Sequence, residues 1–210
     1  YCVHHLTKNK YTILNILDEC TKAGQKDRVF EFTSTSKITF PGAGVGVCAS
    51  SVDNIKWLEN NSLLQLKTGD KINQLRHYLF LQNMDVVHRH MEKHAAIIKP
   101  KFDLIDKKLR CELREIKGIN WNNPKGGYFM HIELSPHMAK AVWMKCKELG
   151  VSITPAGSTY PYGIDPQDST IRLAPTYLSL KEISVAMDVF CCVVKLVYLK
   201  NKTGGSYSEC

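Results

Sequence analysis

The chain has 210 residues, enough for one large domain or two small ones, and its 44% hydrophobic and 23% charged residues are an ordinary balance for a globular protein, with no internal repeat or low-complexity segment. Its net charge is +8, but the lysines are scattered and no basic run is interleaved with aromatics, so the charge reads as a solvated surface and not as a nucleic-acid face. The start is polar and histidine-rich, unlike a signal peptide, and the apolar stretch 189–199 is too short to span a bilayer and is interrupted by Lys195, so no membrane association is expected.

Apolar positions Ile13, Leu14, Ile16 and Leu17 predict a helix over 11–20. Residues 28–33 alternate, with Val29 opposite Phe30 and Phe32, and read as a strand that delivers Lys37. Gly46–Ala49 reads as a second strand. Ser50 and Asp53 have capping-box spacing for a short helix over 52–58, followed by a polar connection over 60–69. From 70 to 98 the pattern is one long helix. Ile72, Leu75 and Leu79 share a face, and Val87, Met91, Ala95 and Ile98 continue it. Pro100 stops that helix or restarts another, in which Phe102, Ile105, Leu109 and Leu113 line one side.

Residues 120–124 are turn-like, and 127–134 alternate with Tyr128, Met130, Ile132 and Leu134 on one face. A helix over 136–149 ends at Gly150, a natural left-handed cap. Residues 151–154 and 170–174 read as short strands. Ser179 and Glu182 form a capping box for a last helix over 180–199, and 201–210 reads as a loose polar tail.

Lys37 is the most informative residue. It ends a strand-like stretch, with hydroxyl residues Ser34, Thr35 and Ser36 before it and Gly42-Ala43-Gly44-Val45-Gly46 after it. Such a setting suits an amine that forms a Schiff base with an aldehyde cofactor while hydroxyls hold the cofactor's phosphate; lysine is the usual partner of pyridoxal phosphate. A surface lysine beside a flexible turn would look the same. Ser34 and Ser36 could equally be strand-end caps, and Arg172 an edge-strand arginine. The chain contains 8 cysteines with no Cys-x-x-Cys pair, which predicts reduced, mostly buried thiols in a cytoplasmic protein. Cys2, His4 and His5 lack a second ligand pair at metal spacing, and His88, His90 and His94 read as a solvated helix face, so no metal site is expected.

Six blocks in order resemble class I, fold type I, pyridoxal-phosphate-dependent aminotransferases, nearest to the aspartate-aminotransferase-like subgroup. They are Tyr1-Cys2-Val3-His4-His5-Leu6, Ser34-Thr35-Ser36-Lys37-Ile38-Thr39-Phe40, Asn73-Gln74-Leu75-Arg76-His77, Pro124-Lys125-Gly126-Gly127-Tyr128-Phe129, Thr154-Pro155-Ala156-Gly157 and Ile171-Arg172-Leu173-Ala174-Pro175-Thr176. The resemblance implies an α/β protein: the C-terminal part of a PLP-transferase large domain followed by a small α/β C-terminal domain. Residues 1–69 would end the cofactor domain, 70–99 would be the connecting helix and 100–200 the small domain.

The resemblance further implies pyridoxal 5'-phosphate as cofactor and an amino group moved between an amino acid, aspartate among the candidates, and a 2-oxo acid. Lys37 would be the catalytic amine. Tyr1, Ser34 and Ser36 would bind the cofactor, Arg172 would grip the substrate carboxylate, and Tyr128 would also bind substrate; Gly126, Gly127 and Tyr128 would form a loop that approaches the active site, and Pro155 with Gly157 a turn near the substrate entrance. Arg76 and Lys125 are the candidates for a distal carboxylate. A cytoplasmic homodimer is implied as well.

Two departures stand out. Gly44 occupies the place where many class I enzymes hold a phosphate-binding arginine. The family's aspartate that keeps the pyridine nitrogen protonated would fall three residues before Tyr1, so the chain looks like the C-terminal half of such an enzyme. A ligand-sensing module of a transcription regulator and a catalytically dead remnant are the alternative readings.

Overall fold

The computed structural model describes residues 13–62 and 68–203. The expectations attached to Tyr1, Cys2, His4, His5 and 204–210 lie outside them. The chain divides into two compact units between His94 and Ala95.

In the first unit, α1 (Ile16–Lys22) starts later than its apolar pattern suggests because the Asn15 side chain caps it, accepting from the Leu17 N–H at 3.1 Å. Strands β1 (Glu31–Ser34) and β2 (Gly46–Ala49) pair antiparallel, with Glu31 opposite Ala49 and Ser34 opposite Gly46. The loop between them holds Lys37. Helix α2 (Val52–Ser62) is capped one residue later than expected. Ser51 Oγ accepts from the Asn54 N–H at 3.2 Å, whereas the Ser50 hydroxyl donates to the Val29 carbonyl and ties the hairpin to the helix start.

The single helix expected over 70–98 is two helices, α3 (Lys71–Leu81) and α4 (Met84–Leu113). Gln82 takes a left-handed conformation, φ 48°, and Asn83 caps α4 by accepting from the Val86 N–H at 3.0 Å. Conversely, Pro100 neither stops nor restarts α4. An interior proline costs about 3 kcal/mol, and here Ile98, Phe102, Ile105, Leu109 and Leu113 are all buried at helical spacing around it, enough apolar surface to offset that cost. Helix α3 is also turned differently from its pattern. Ile72, Leu75 and Leu79 share a face, but they are 77%, 55% and 61% exposed; the residue α3 buries is His77. Its polar side is needed for hydrogen bonds to the Lys37 loop.

In the second unit, β3 (Asn120–Trp121), β4 (Met130–Glu133) and β5 (Thr170–Leu173) form an antiparallel sheet with β4 central. The turn expected at 120–124 thus begins as a strand, fastened by Trp121 Nε1 donating to Asp106 of α4 at 2.9 Å. Met130 and Ile132 lie opposite Leu173 and Ile171, and all four are buried. Helices α5 (Ala139–Glu148) and α6 (Leu180–Lys202) pack together. The expected box at Ser179 and Glu182 is present, and α6 runs three residues past 199, with Lys200 and Lys202 favourable at its negative end. Residues 151–154 do not pair as a strand. They form one wall of an apolar cleft of about 1020 Å³ with Leu173, Ile183 and Met187.

All six described cysteines are free thiols, but only Cys146 and Cys191 are buried, where desolvation pushes their pKa values to about 11 and about 12. Cys111 and Cys192 are exposed, because neighbouring helical positions such as Cys191 and Cys192 point about 100° apart. Among the described residues no helix is long and apolar enough to cross a membrane.

Asp165 organises the approach to β5. Its carboxylate accepts from the N–H groups of Gln167, Ser169 and Thr170 at 3.0, 2.9 and 2.9 Å. Partial desolvation pushes its pKa up, but the donors of Ser169, Thr170 and Gln167 outweigh that and hold it below the ordinary 3.8. Ionised Asp165 therefore stabilises the fold above the ordinary value, and this contribution is lost as pH falls through the depressed folded value. Asp165→Asn should lower Tm near neutral pH and flatten its decline in acid, as measured by circular dichroism across that range.

Candidate active site

Lys37 sits inside a single turn that leaves β1. Ile38 and Thr39 N–H groups both donate to the Thr35 carbonyl, at 2.8 and 3.0 Å. Thr35 is bound to Val45 on the far side of the loop through its N–H (3.0 Å to the Val45 carbonyl) and its Oγ1 (2.9 Å from the Val45 N–H). The Lys37 turn is thus closed at its base before any side chain of α3 is considered. Ser34 and Ser36, the two predicted phosphate ligands, lie together here, with Ser34 Oγ donating to Ser36 Oγ at 3.1 Å.

Gly44 lies against this pair. A Cβ at position 44 would stand 2.6 Å from Ser36 Oγ and 3.1 Å from the Ser36 Cα and N. A side chain at 44 would require Ser36 to shift, and with glycine there any anion held here would be met by hydroxyl and backbone groups. The residue set fits a phosphorylated aldehyde: neighbouring hydroxyls, a primary amine one residue on, and a close backbone approach at glycine.

Residues outside the predicted set complete the loop. Asn73 of α3 donates from Nδ2 to the Ala43 carbonyl at 2.8 Å, and its buried Oδ1 has no partner among the described residues. His77, 5% exposed, has Nε2 2.9 Å from Thr35 Oγ1 and 2.7 Å from Thr39 Oγ1, and Nδ1 2.9 Å from the Asn73 carbonyl. His90 is partly buried and donates from Nε2 to the Ile38 carbonyl at 2.7 Å, so the histidines of α4 are not simply a solvated face. Among the described residues no cluster suits a metal ion. Arg76 places its guanidinium 5.7 Å from the centre of the Phe40 ring. The sequence signal for His77 was its place in the Asn73-Gln74-Leu75-Arg76-His77 block; its role in binding hydroxyls 38 and 42 residues away had no local signature.

In the second unit, Arg172 lies in β5 opposite His131, on the face away from Met130 and Ile132. Its guanidinium carbon is 4.5 Å from the centre of the Phe129 ring, and its Nε is buried without a partner among the described residues. Stacking occupies the guanidinium's face and leaves its in-plane N–H groups able to grip a carboxylate through two parallel bonds. Tyr128 is buried, as are Met130 and Ile132. The turn at Gly157 is obligatory for glycine: φ is +82° and a Cβ would lie 2.1 Å from the Gly163 carbonyl oxygen. Lys125 is exposed, and Tyr1 lies outside the described residues.

A lysine on a hydroxyl-rich turn beside glycine, and an arginine against an aromatic ring, are residue types that suit pyridoxal-phosphate chemistry. The sequence matches the family model for aspartate amino-transferase over residues 1–205, and the chain belongs to that family. A protein of Mycolicibacterium smegmatis assigned as an aminotransferase is 42% identical over 188 residues, which is 90% of this chain and 44% of that protein. The aspartate aminotransferase of Corynebacterium glutamicum is 38% identical over 195 residues, 92% of this chain and 45% of its own length. The crystal structure of an aspartate transaminase from the same organism superposes with a TM-score of 0.89 at 36% identity, covering 96% of this chain and 47% of that one. The chain spans about half the length of the curated relatives it matches.

Gly44→Ala should cost about 1–3 kcal/mol, the usual range for overpacking, in urea unfolding. Adding Ser36→Ala should recover part of the loss, because the nearest clash is the Ser36 hydroxyl.

Proposed function

We propose that the protein carrying this chain is a pyridoxal-phosphate-dependent aminotransferase that moves an amino group between an amino acid and a 2-oxo acid, with aspartate as the first candidate donor. The observation that supports it most directly is Lys37 on a turn closed by Thr35, beside the paired hydroxyls of Ser34 and Ser36. Pyridoxal phosphate, when bound, supplies an aldehyde that condenses with amines and a ring that takes up the electron pair of a broken Cα–H bond.

The chain's own residues have distinct tasks. The Lys37 amine would hold the cofactor through its aldehyde, and its Nζ would accept and return the α-proton. Ser34 and Ser36 bind the phosphate through their hydroxyls, with Tyr1 as the proposed partner of the ring. Arg172, backed by Phe129 and with Tyr128 next in the chain, orients the substrate by its α-carboxylate. For aspartate a second cation is needed, and Arg76 or Lys125 would provide it.

Residues 1–69 are proposed as the end of the cofactor domain and 100–200 as the small domain of a cytoplasmic homodimer. The enzyme reading is preferred to a regulator's sensor module because the aminotransferase relatives match over nine-tenths of the chain.

Lys37→Ala should lower the rate of aspartate:2-oxoglutarate transamination by at least about 10²–10⁴-fold, the usual worth of a positioned acid–base group, in a coupled spectrophotometric assay. Arg172→Leu should lower kcat/KM by roughly 10–150-fold, the equivalent of about 1.5–3 kcal/mol for a charge-assisted hydrogen bond. Activity that survives Lys37→Ala would overturn the proposal.

A further inference from the structure

We propose that His77 and His90 are positioning residues for Lys37, clamping residues 35–39 from α3 and α4. The inference rests on the reading of Lys37 as the cofactor lysine.

Lysine has four rotatable side-chain bonds, so its amine is placed only as well as its backbone is held. The turn's own hydrogen bonds close it at Thr35. They do not fix how the following residues lie against the rest of the unit. His77 does this with one acceptor, Nε2, which lies 2.9 and 2.7 Å from the hydroxyls of Thr35 and Thr39, two residues either side of Lys37, and is shared between them. His90 adds a third point by donating to the Ile38 carbonyl at 2.7 Å.

The chemistry suits histidine. With Nδ1–H donating to the Asn73 carbonyl, a neutral His77 ring leaves the Nε2 lone pair to accept. Thr35 Oγ1 already accepts from the Val45 N–H, so its own hydrogen is available to donate to that ring. The Thr39 hydroxyl has two acceptors in reach, Nε2 and the Thr35 carbonyl at 3.2 Å.

Aromatic contacts fix both rings. Phe40 meets His77 edge-on at 5.5 Å, Phe80 meets His90 edge-on at 5.1 Å, and Phe40 and Phe80 lie 5.6 Å apart. His94 packs on His90 at 4.4 Å. A hydrophobic side chain at 77 would fill the space but accept nothing, leaving two partly buried hydroxyls without a partner on α3.

The test uses the full-length protein carrying this chain, as wild type and with His77→Leu, His77→Gln, His90→Leu and Thr39→Val. Amide hydrogen exchange of peptides covering 35–40 reads the clamp without any cofactor. Incubation with pyridoxal phosphate, borohydride reduction and mass spectrometry read the yield of pyridoxyl label on Lys37.

His77→Leu and His90→Leu should raise exchange in this segment by roughly five- to thirtyfold, the worth of one or two ordinary hydrogen bonds. Both should lower the Lys37 label and kcat more than they raise KM. His77→Gln carries an amide oxygen that reaches the Thr39 hydroxyl, and should restore much of the protection and label. Thr39→Val removes one clamp point with the buried histidine intact and should shift both readouts in the same direction, which keeps the test valid if His77→Leu does not fold. Wild-type exchange and label in both leucine variants, or glutamine no better than leucine, would overturn the clamp. A wild type that takes no label at Lys37 would instead overturn the aminotransferase reading, and with it the purpose of the clamp.

Discussion

Thr35 is bonded to Val45 twice, by its N–H and by its hydroxyl oxygen, and the local arrangement around Lys37 follows from that double tie. It closes the loop that starts where β1 ends, so the turn carrying Lys37 folds back on a fixed base. It uses up one side of the Thr35 hydroxyl and leaves the other to face α3. It also brings Gly44 so near Ser36 that a Cβ there would press on the Ser36 hydroxyl and backbone. A short antiparallel pair of four residues a side is too small to be stable alone. Contacts from α3 and the Ser50 link to Val29 supply what the ladder lacks.

The second unit solves a different problem, presenting one cation from a sheet. The alternation of β4 and β5 sends Met130, Ile132, Ile171 and Leu173 into the core and Arg172 to the other face. Phe129 then covers the guanidinium on one side. Its Nε is buried without a partner among the described residues, an arrangement that is costly unless an acceptor arrives. A carboxylate is one acceptor whose geometry would match the guanidinium.

Backbone constraints in the two units have the same character. Gly157 is held where any Cβ would strike the Gly163 carbonyl. Helix α5 has no side-chain cap of its own, and its first N–H groups are met from a distance: Met138 and Ala139 donate to the Asp168 carbonyl at 2.9 and 2.8 Å, and Lys140 donates to the Asp168 carboxylate at 2.8 Å. Asp165 then fixes the segment from which Asp168 reaches. One connection thus caps a helix and leads into the strand that carries Arg172.

Much of this was legible beforehand. Strand β2, the capping box of α6, the buried row from Tyr128 to Leu134 and the row from Phe102 to Leu113 follow from periodicity, because a core face leaves its period in the sequence whatever it packs against. The family blocks put Lys37, Ser34, Ser36 and Arg172 forward as candidates because each sits in a short contiguous motif. The break at Gln82, the passage of α4 through Pro100, the exposure of Ile72, Leu75 and Leu79, and the unpaired run 151–154 were not legible. Each depends on which partner a segment meets, and apolar spacing states only that a partner is needed. The sequence by itself determined most of the elements, the family and the residue types available for chemistry. Only the tertiary structure decided that a Cβ at 44 would press on Ser36, that Phe129 lies against Arg172, and that His77 and His90 reach the turn around Lys37. Those facts are distances between residues far apart in the chain, and hydrogen bonds and van der Waals contacts act only at such short range.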